Sequence, residues 1–325
     1  MALSQDFVDA HIARWQQSLT SPFYPHRKHW PTRLFHHAPL ENAVAILREG
    51  VLRSRNDTYN THPKDVAAPG VISANTAAHD FVRLYFRPKT PTQYHIEGIR
   101  RPNECKYEGA HAPVLIMFAL DSRAVLARPD VQFSDMNMQK LGSVKTGNTA
   151  EFFDTIPFIK VFSEGPCDKS YTDARCAEVL TKSPLRLDTC LKEIYFRSEP
   201  ERDTILHMLG PAAERWANQC IVSDTLKVFQ KDYAFVQEVG LTPKGVTFGC
   251  NARRDRANLA IEIEVFDATG SRCVHFVNDE IEARPPDAAR WIYNKRIAPG
   301  IYLVRMRIDG HLAHESLIPL GDVVF

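Results

Sequence analysis

The 325-residue sequence has no Cys-x-x-Cys pair, and its 7 cysteines are scattered and odd in number. That usage fits neither a zinc site nor a disulfide framework, so no metal is expected and a reducing compartment is. No Gly-x-Gly-x-x-Gly opens a helix, and Walker A, His-Glu-x-x-His and Gly-x-Ser-x-Gly motifs are all missing. Rossmann, phosphate-loop, zinc-protease and α/β-hydrolase chemistries therefore lack their signatures. The first residues lack the basic and apolar regions of a secretion signal, and no apolar run reaches membrane-spanning length. A cytoplasmic protein without a membrane partner is the expectation. No internal repeat or low-complexity tract is present, and a formal net charge of +1 excludes a chain that is basic throughout.

What is present is ordinary globular material, 44% hydrophobic and 24% charged, long enough for two domains. The charge is uneven: residues 1–111 hold 14 Lys and Arg against 10 Asp and Glu, whereas residues 231–325 hold 12 against 13. The cationic N-terminal part is compatible with nucleic acid or nucleotide phosphates, and equally with a solvated face.

Residues 5–18 repeat Val8, Ile12, Trp15 and Leu19 at helical spacing, with Ser4 placed to cap. A proline-punctuated loop (21–33) and a short strand (33–37) lead to a helix with Pro39 in its first turn and Gly50 beyond its end. Leu40, Ala43, Val44 and Leu47 form its apolar stripe. Residues 53–79 read as a polar, flexible, turn-rich loop. Strands are expected at 81–87, at 114–120 (a continuous apolar run, hence buried on both faces), at 177–181 and at 192–197. A helical segment falls near 201–219. From 233 onward short β runs alternate with turns, Leu259–Val265 strictly so, and Asp309-Gly310 marks a tight hairpin. The fold class is α+β over residues 1–225, followed by a β-sandwich of immunoglobulin-like size over 226–325.

The most informative stretch is Phe81–Tyr94, FVRLYFRPKTPTQY, an aromatic strand that runs into a Pro-Lys-Thr-Pro elbow. Both prolines stiffen the turn, which suits it to a flat, anionic ligand. Together with LFHHAPLENAVAILREGVL (34–52) and ARCAEVLTKSPLRLDTCLKEIYF (174–196), it resembles the DarT family of NAD-dependent ADP-ribosyltransferases that modify nucleic-acid bases. The matching positions are Phe35-His36, Asn42, Gly50, Val82 through Tyr94, and Ala177-Glu178-Val179-Leu180. The likeness spans roughly residues 33–200. The chain departs from the pattern at Ala38 (Thr in the family), at Arg83 (Pro) and at Lys89 (Arg). The family's catalytic Arg, which lies between the first helix and the elbow, has no register here; Arg53, Arg55, Arg83 and Arg87 are candidates.

The resemblance implies an ADP-ribosyltransferase-like catalytic domain with split central β-sheets, carrying an N-terminal helical extension. NAD+ would be the substrate and Glu178 the catalytic carboxylate, with Arg53 or Arg55 beside it. His36 would bind a ribose hydroxyl, with main chain at His37 and Ala38 near the carboxamide. Asn42, Tyr85, Lys89 and Tyr94 would complete the NAD+ pocket, and Arg83 and Arg87 would meet the nucleic acid. It further implies a toxin acting on single-stranded DNA or RNA, held by a protein antitoxin and serving phage defence. A protein acceptor, or a binding module that has lost catalysis, are the competing classes. The chemistry is consistent with the residue types: breaking the nicotinamide–ribose bond builds positive charge on the sugar, which a carboxylate stabilises.

Overall fold

The computed structural model describes residues 2–61, 63–66, 76–106, 110–140, 142–283 and 291–321. Residue 62 and the 67–75 segment of the expected polar loop lie outside the described residues. The chain divides into two compact units. The first comprises Met1–His95, Ile116–Tyr195 and Ser223–Phe229; the second comprises Ile96–Leu115, Phe196–Val222 and Gln230–Phe325.

In the first unit, helix α1 (Gln5–Ser18) starts where expected, with the Ser4 hydroxyl accepting from the Phe7 amide at 3.2 Å. Its Val8, Ile12 and Trp15 are buried, and the Trp15 ring lies 5.9 Å from Phe158 in the aromatic run 152–162. There the Phe153 and Phe158 rings lie 5.0 Å apart at a tilt of 44°, and Phe162 lies 5.6 Å from the Trp15 ring. The proline-rich stretch is a 3-10 helix over Pro25–Thr32 rather than a loop. Pro25 stands at its start, where a preset φ and a missing N–H do no harm, and Trp30 is fully buried, donating to the Leu226 carbonyl at 3.0 Å.

The strands of this unit are β1 (Arg33–Pro39), β2 (Val51–Leu52), β3 (Phe81–Tyr85), β4 (Leu115–Asp121), β5 (Gln132–Ser134), β6 (Thr146–Gly147), β7 (Glu178–Lys182), β8 (Leu185–Arg186) and β9 (Leu191–Phe196). The sheet runs β9-β4-β1-β3-β7-β5-β6, and β2 pairs separately with β8. As its apolar run requires, β4 is buried on both faces and occupies an interior position. Helix α2 (Leu40–Glu49) follows β1 directly, buries Leu40, Ala43, Val44 and Leu47, and ends at Gly50 with φ +75°, a left-handed cap that glycine adopts without strain. This β1–α2 join anchors the strand that carries His36.

The second unit holds β10 (Cys220–Val222), β11 (Val236–Thr242), β12 (Gly245–Cys250), β13 (Leu259–Phe266), β14 (Arg272–Ile281), β15 (Trp291–Asn294), β16 (Gly300–Ile308) and β17 (His311–Leu320). One sheet runs β11-β12-β15 and another β14-β13-β16-β17; Val246 and Phe248 of the first share a core with Ile261, Ile263, Val304 and Met306 of the second. Asp309-Gly310 makes the β16–β17 turn with φ +50° and +78°, the doubly positive pair of a two-residue hairpin. The short strands β2, β5, β6, β8, β10 and β15 carry no pattern that marks them in the sequence. Among the described residues no helix is long and apolar enough to cross a membrane.

Candidate active site

The site is built on three neighbouring strands of the first unit. In the β3–β7 ladder Tyr85 stands opposite Glu178, and Arg83 stands opposite Leu180. Strand alternation therefore puts Arg83, Tyr85 and Glu178 on one face. Glu178 is fully buried. A carboxylate in that position must be paired and hydrogen-bonded or give up its charge, and here it is both. Arg83 grips it with two donors, Nη2 to Oε1 at 2.5 Å and Nε to Oε2 at 3.2 Å. The Met138 amide adds a third at 3.3 Å to Oε2, and the Glu178 amide itself donates to the Ser134 hydroxyl at 3.1 Å. Burial works against the Arg83 charge, but the adjacent carboxylate outweighs it and holds the guanidinium above its ordinary pKa.

Strand β1 brings in the histidines, with Phe35 registered opposite Tyr85. His36 Nδ1 lies 3.1 Å from the Arg83 carbonyl. A carbonyl only accepts, so Nδ1 carries the proton and Nε2 the lone pair. Burial lowers the His36 pKa, the carbonyl bond offsets part of this, and the Arg83 charge lowers it further; the ring is neutral at physiological pH. His37 stacks on Tyr85 with centroids 5.5 Å apart and planes 6° from parallel. Burial, then the charges of His36 and Arg83, pull its pKa down to about 3. The Tyr85 hydroxyl accepts from Thr92 at 3.3 Å, and burial followed by the Glu178 charge raises its pKa, keeping it protonated.

The elbow is stiffened by its own side chains. Lys89 adopts φ +56°, its amide donates to Gln93 Oε1 at 2.7 Å, and Gln93 Nε2 donates to the Val228 carbonyl at 2.8 Å. The Lys89 ammonium pairs with Glu164 at 2.8 Å, and His26 meets the same carboxylate at 2.5 Å. Burial raises the Glu164 pKa, but these two partners outweigh it and hold the group below the ordinary carboxylate range. Tyr94 is half-buried, 5.7 Å from the His95 ring.

The structure thus brings Arg83, Glu178, His36, His37 and Tyr85 together, and places several other expected residues elsewhere. Arg53 is paired with Glu49 at 2.7 Å and Asp57 at 3.1 Å, and Arg55 with Asp65 at 2.7 Å. Neither guanidinium is the one on Glu178. Arg87, expected on a nucleic-acid path, is instead buried at 2% exposure; it donates to the carbonyls of Pro88, Val161 and Ser163 and lies over the Trp30 ring. Asn42 exchanges two 2.8 Å bonds with the Lys64 main chain, which holds the segment after α2, and Ala38 is buried. Sequence reading missed Asn137, whose Oδ1 accepts from Arg83 at 3.1 Å, and the Met138 amide. Both lie on the β5–β6 connection, and no local pattern marks them. One acid–histidine group close enough for a metal ion, Glu262, Glu264 and His275, occurs among the described residues on β13 and β14; its carboxylates already face Arg272 and Arg307.

A fixed carboxylate, a neutral imidazole and an aromatic pair on adjacent strands equip an enzyme to steady positive charge on a sugar ring while a glycosidic bond breaks. Residues 35–228 match the profile of the family described as ssDNA thymidine ADP-ribosyltransferase, DarT, and the chain belongs to this family of NAD+-dependent ADP-ribosyltransferases. Among solved structures it is similar to Thermus sp. 2.9 DarT in complex with ADP-ribosylated ssDNA, with 17% identity and TM-score 0.49 over 60% of this chain and 96% of that one. The same protein in complex with NAD+ aligns with 17% identity and TM-score 0.47 over 60% and 97%. Thermosipho africanus DarTG in complex with ADP-ribose aligns with 16% identity and TM-score 0.44 over 64% and 53%. No curated protein matches the chain.

Proposed function

We propose that the chain transfers ADP-ribose from NAD+ to a base of single-stranded DNA, with thymidine, the nucleoside in the family's description, as the first candidate acceptor. The observation that carries this reading is the family match across residues 35–228, the span that contains Glu178, Arg83, Tyr85, His36 and His37.

In the proposed reaction nicotinamide leaves C1′ with the bonding electron pair, and a base nitrogen supplies the pair that forms the new bond. Glu178 accepts a hydrogen bond from the ribose 2′-OH and opposes the positive charge on the ring. It then takes the proton from the attacking base nitrogen, so charge and atoms balance. His36 offers Nε2 to a second ribose hydroxyl, and the Tyr85–His37 pair presents an aromatic surface to the nicotinamide side. A base inside a duplex cannot reach a carboxylate this enclosed, which favours single strands or a base turned out of the stack. Arg53, Arg55, Lys89 and Tyr94 are proposed as outer residues of the substrate path; for Lys89 the stiff elbow supports this.

RNA is the second reading, because Lys89 replaces the arginine of the family's elbow and an ammonium cannot bind phosphate as a planar fork does. We read the C-terminal sheets, residues 226–325, as an immunoglobulin-like sandwich that binds a protein antitoxin or a sensing partner, in a cytoplasmic toxin that serves phage defence. The test of acceptor class is incubation with labelled NAD+ and matched single-stranded DNA, RNA and protein. A nuclease-sensitive label on DNA supports the proposal; label only on RNA moves it to the second reading; a nuclease-resistant, protease-sensitive label contradicts both.

A further inference from the structure

We propose that Arg83 is the positioning residue of this site, its guanidinium fixing the plane of the Glu178 carboxylate and its main-chain carbonyl fixing the His36 ring. The inference rests on the reading of Glu178 as the carboxylate that acts on NAD+.

The contacts define the role. A carboxylate offers about four lone-pair directions. Arg83 occupies one on each oxygen, and the Met138 amide takes the second on Oε2. The remaining direction is on Oε1, and it is the one open to substrate, first to the ribose hydroxyl and then to the proton of the attacking base. Asn137 Oδ1 braces Arg83 Nη2 at 3.1 Å and is itself held by the Gln139 amide at 3.0 Å. One residue thereby sets both the orientation of the Glu178 carboxylate and, through a 3.1 Å bond from Nδ1, the tautomer of His36.

The bland alternative is a structural ion pair. Two observations weigh against it. A buried pair is seldom better for stability than apolar residues of similar volume, so stability alone does not call for it in a strand. Arg53 and Arg55 are also held at other carboxylates, and the guanidinium on Glu178 is that of Arg83. The groups facing Glu178 are Arg83 and Tyr85 from β3, Cys176 just before β7, and Asn137 with the Met138 amide from the β5–β6 connection. Tyr85 is held protonated, and Cys176 is pushed up to about 12 by burial and by Glu178. Arg83 is thus the cation in this set.

The test compares the full chain with Arg83→Gln and Arg83→Lys, following transfer from labelled NAD+ to a single-stranded DNA oligonucleotide, with thermal unfolding alongside. Arg83→Gln is expected to lower kcat by about 100-fold with KM for NAD+ little changed, the size of a loss from misplacing a reacting group. Arg83→Lys should restore part of kcat but not all of it, since a point charge lacks the fork. Wild-type kcat in either variant, or a loss matched by an equal loss of folded protein, overturns the proposal. If Arg83→Gln does not fold, the Lys variant decides alone on its kcat. Inactivity of the wild-type chain toward NAD+ would instead remove the reading of Glu178 on which the proposal rests.

Discussion

Tyr85 stands directly across the ladder from Glu178, and the two groups affect one another through more than contact. The carboxylate is one reason the phenol stays protonated, second only to burial. The phenol ring in turn lies flat against His37 on the next strand. Three strands far apart in sequence therefore place a carboxylate, a phenol and an imidazole side by side before any substrate arrives. Such preorganisation means that little has to rearrange as charge develops on the ribose.

Replacing Glu178 with Gln keeps the shape of the side chain and its bond from the Met138 amide but removes the charge. We expect kcat for ADP-ribosyl transfer to fall by about 10²- to 10³-fold, the range for deleting one preorganised electrostatic contact. Circular dichroism should show the fold retained. A Gln variant with wild-type turnover would mean that another group does the work assigned to Glu178.

Tyr85 separates the stacking contribution from the hydroxyl. Tyr85→Phe removes only the 3.3 Å bond from Thr92 and should cost about 1 kcal/mol of stability or less, with KM for NAD+ close to wild type. Tyr85→Ala removes the surface on His37 and should raise KM clearly. Equal KM values in the two variants would show that the ring is not part of the NAD+ surface.

Stability should fall in mild acid, and α1 contributes. His11 is buried between the Phe153 and Phe158 rings, 4.7 and 4.5 Å away. Burial, then Arg14, lowers its pKa to about 3. Between the ordinary value of 6.5 and about 3, the unfolded chain binds a proton at this residue that the folded chain does not. Stability is therefore fully present above pH 6.5 and declines as pH drops through that window, by about 1 kcal/mol from this residue at pH 5.5. His37, also lowered to about 3, adds to the decline. Thermal unfolding from pH 7.5 to 5 reads the slope, and His11→Phe should flatten it; an unchanged slope would show that His11 is not the titrating group.

In the second unit, Gly245 has φ +144°, and a Cβ there would sit 1.8 Å from the Tyr293 carbonyl oxygen. Gly245→Ala must push apart β12 and β15, whose pairing begins at Gly245 opposite Asn294. A loss of roughly 2 kcal/mol or more is expected, well above the usual surface substitution. An unchanged melting temperature would place β15 differently.

Legibility in the sequence followed the range of the interactions involved. The α1 cap, the Gly50 stop of α2, the buried β4 run and the Asp309-Gly310 turn are local devices, and each is found at the expected residues. The aromatic stretch 152–162 gave no periodic signal because its short helices bury Phe153, Phe158 and Phe162 against α1, which is remote in sequence. At the site, Glu178 and His36 were marked by motif. The partner of Glu178 stays one of four candidate arginines in the sequence, because the β3–β7 register that brings Arg83 to it joins residues 95 apart. The burial of Arg87 is illegible for a related reason: charge in a sequence gives no sign of burial, and two of the carbonyls that accept from this guanidinium lie 74 and 76 residues away.

The most direct test of the central claim is mass spectrometry of nucleosides released from single-stranded DNA after incubation with the chain and NAD+. The account predicts an ADP-ribose adduct on a base with the wild-type chain, and none with Glu178→Gln at equal folded concentration. An adduct formed equally by both proteins, or no adduct on any base despite release of nicotinamide, would contradict it.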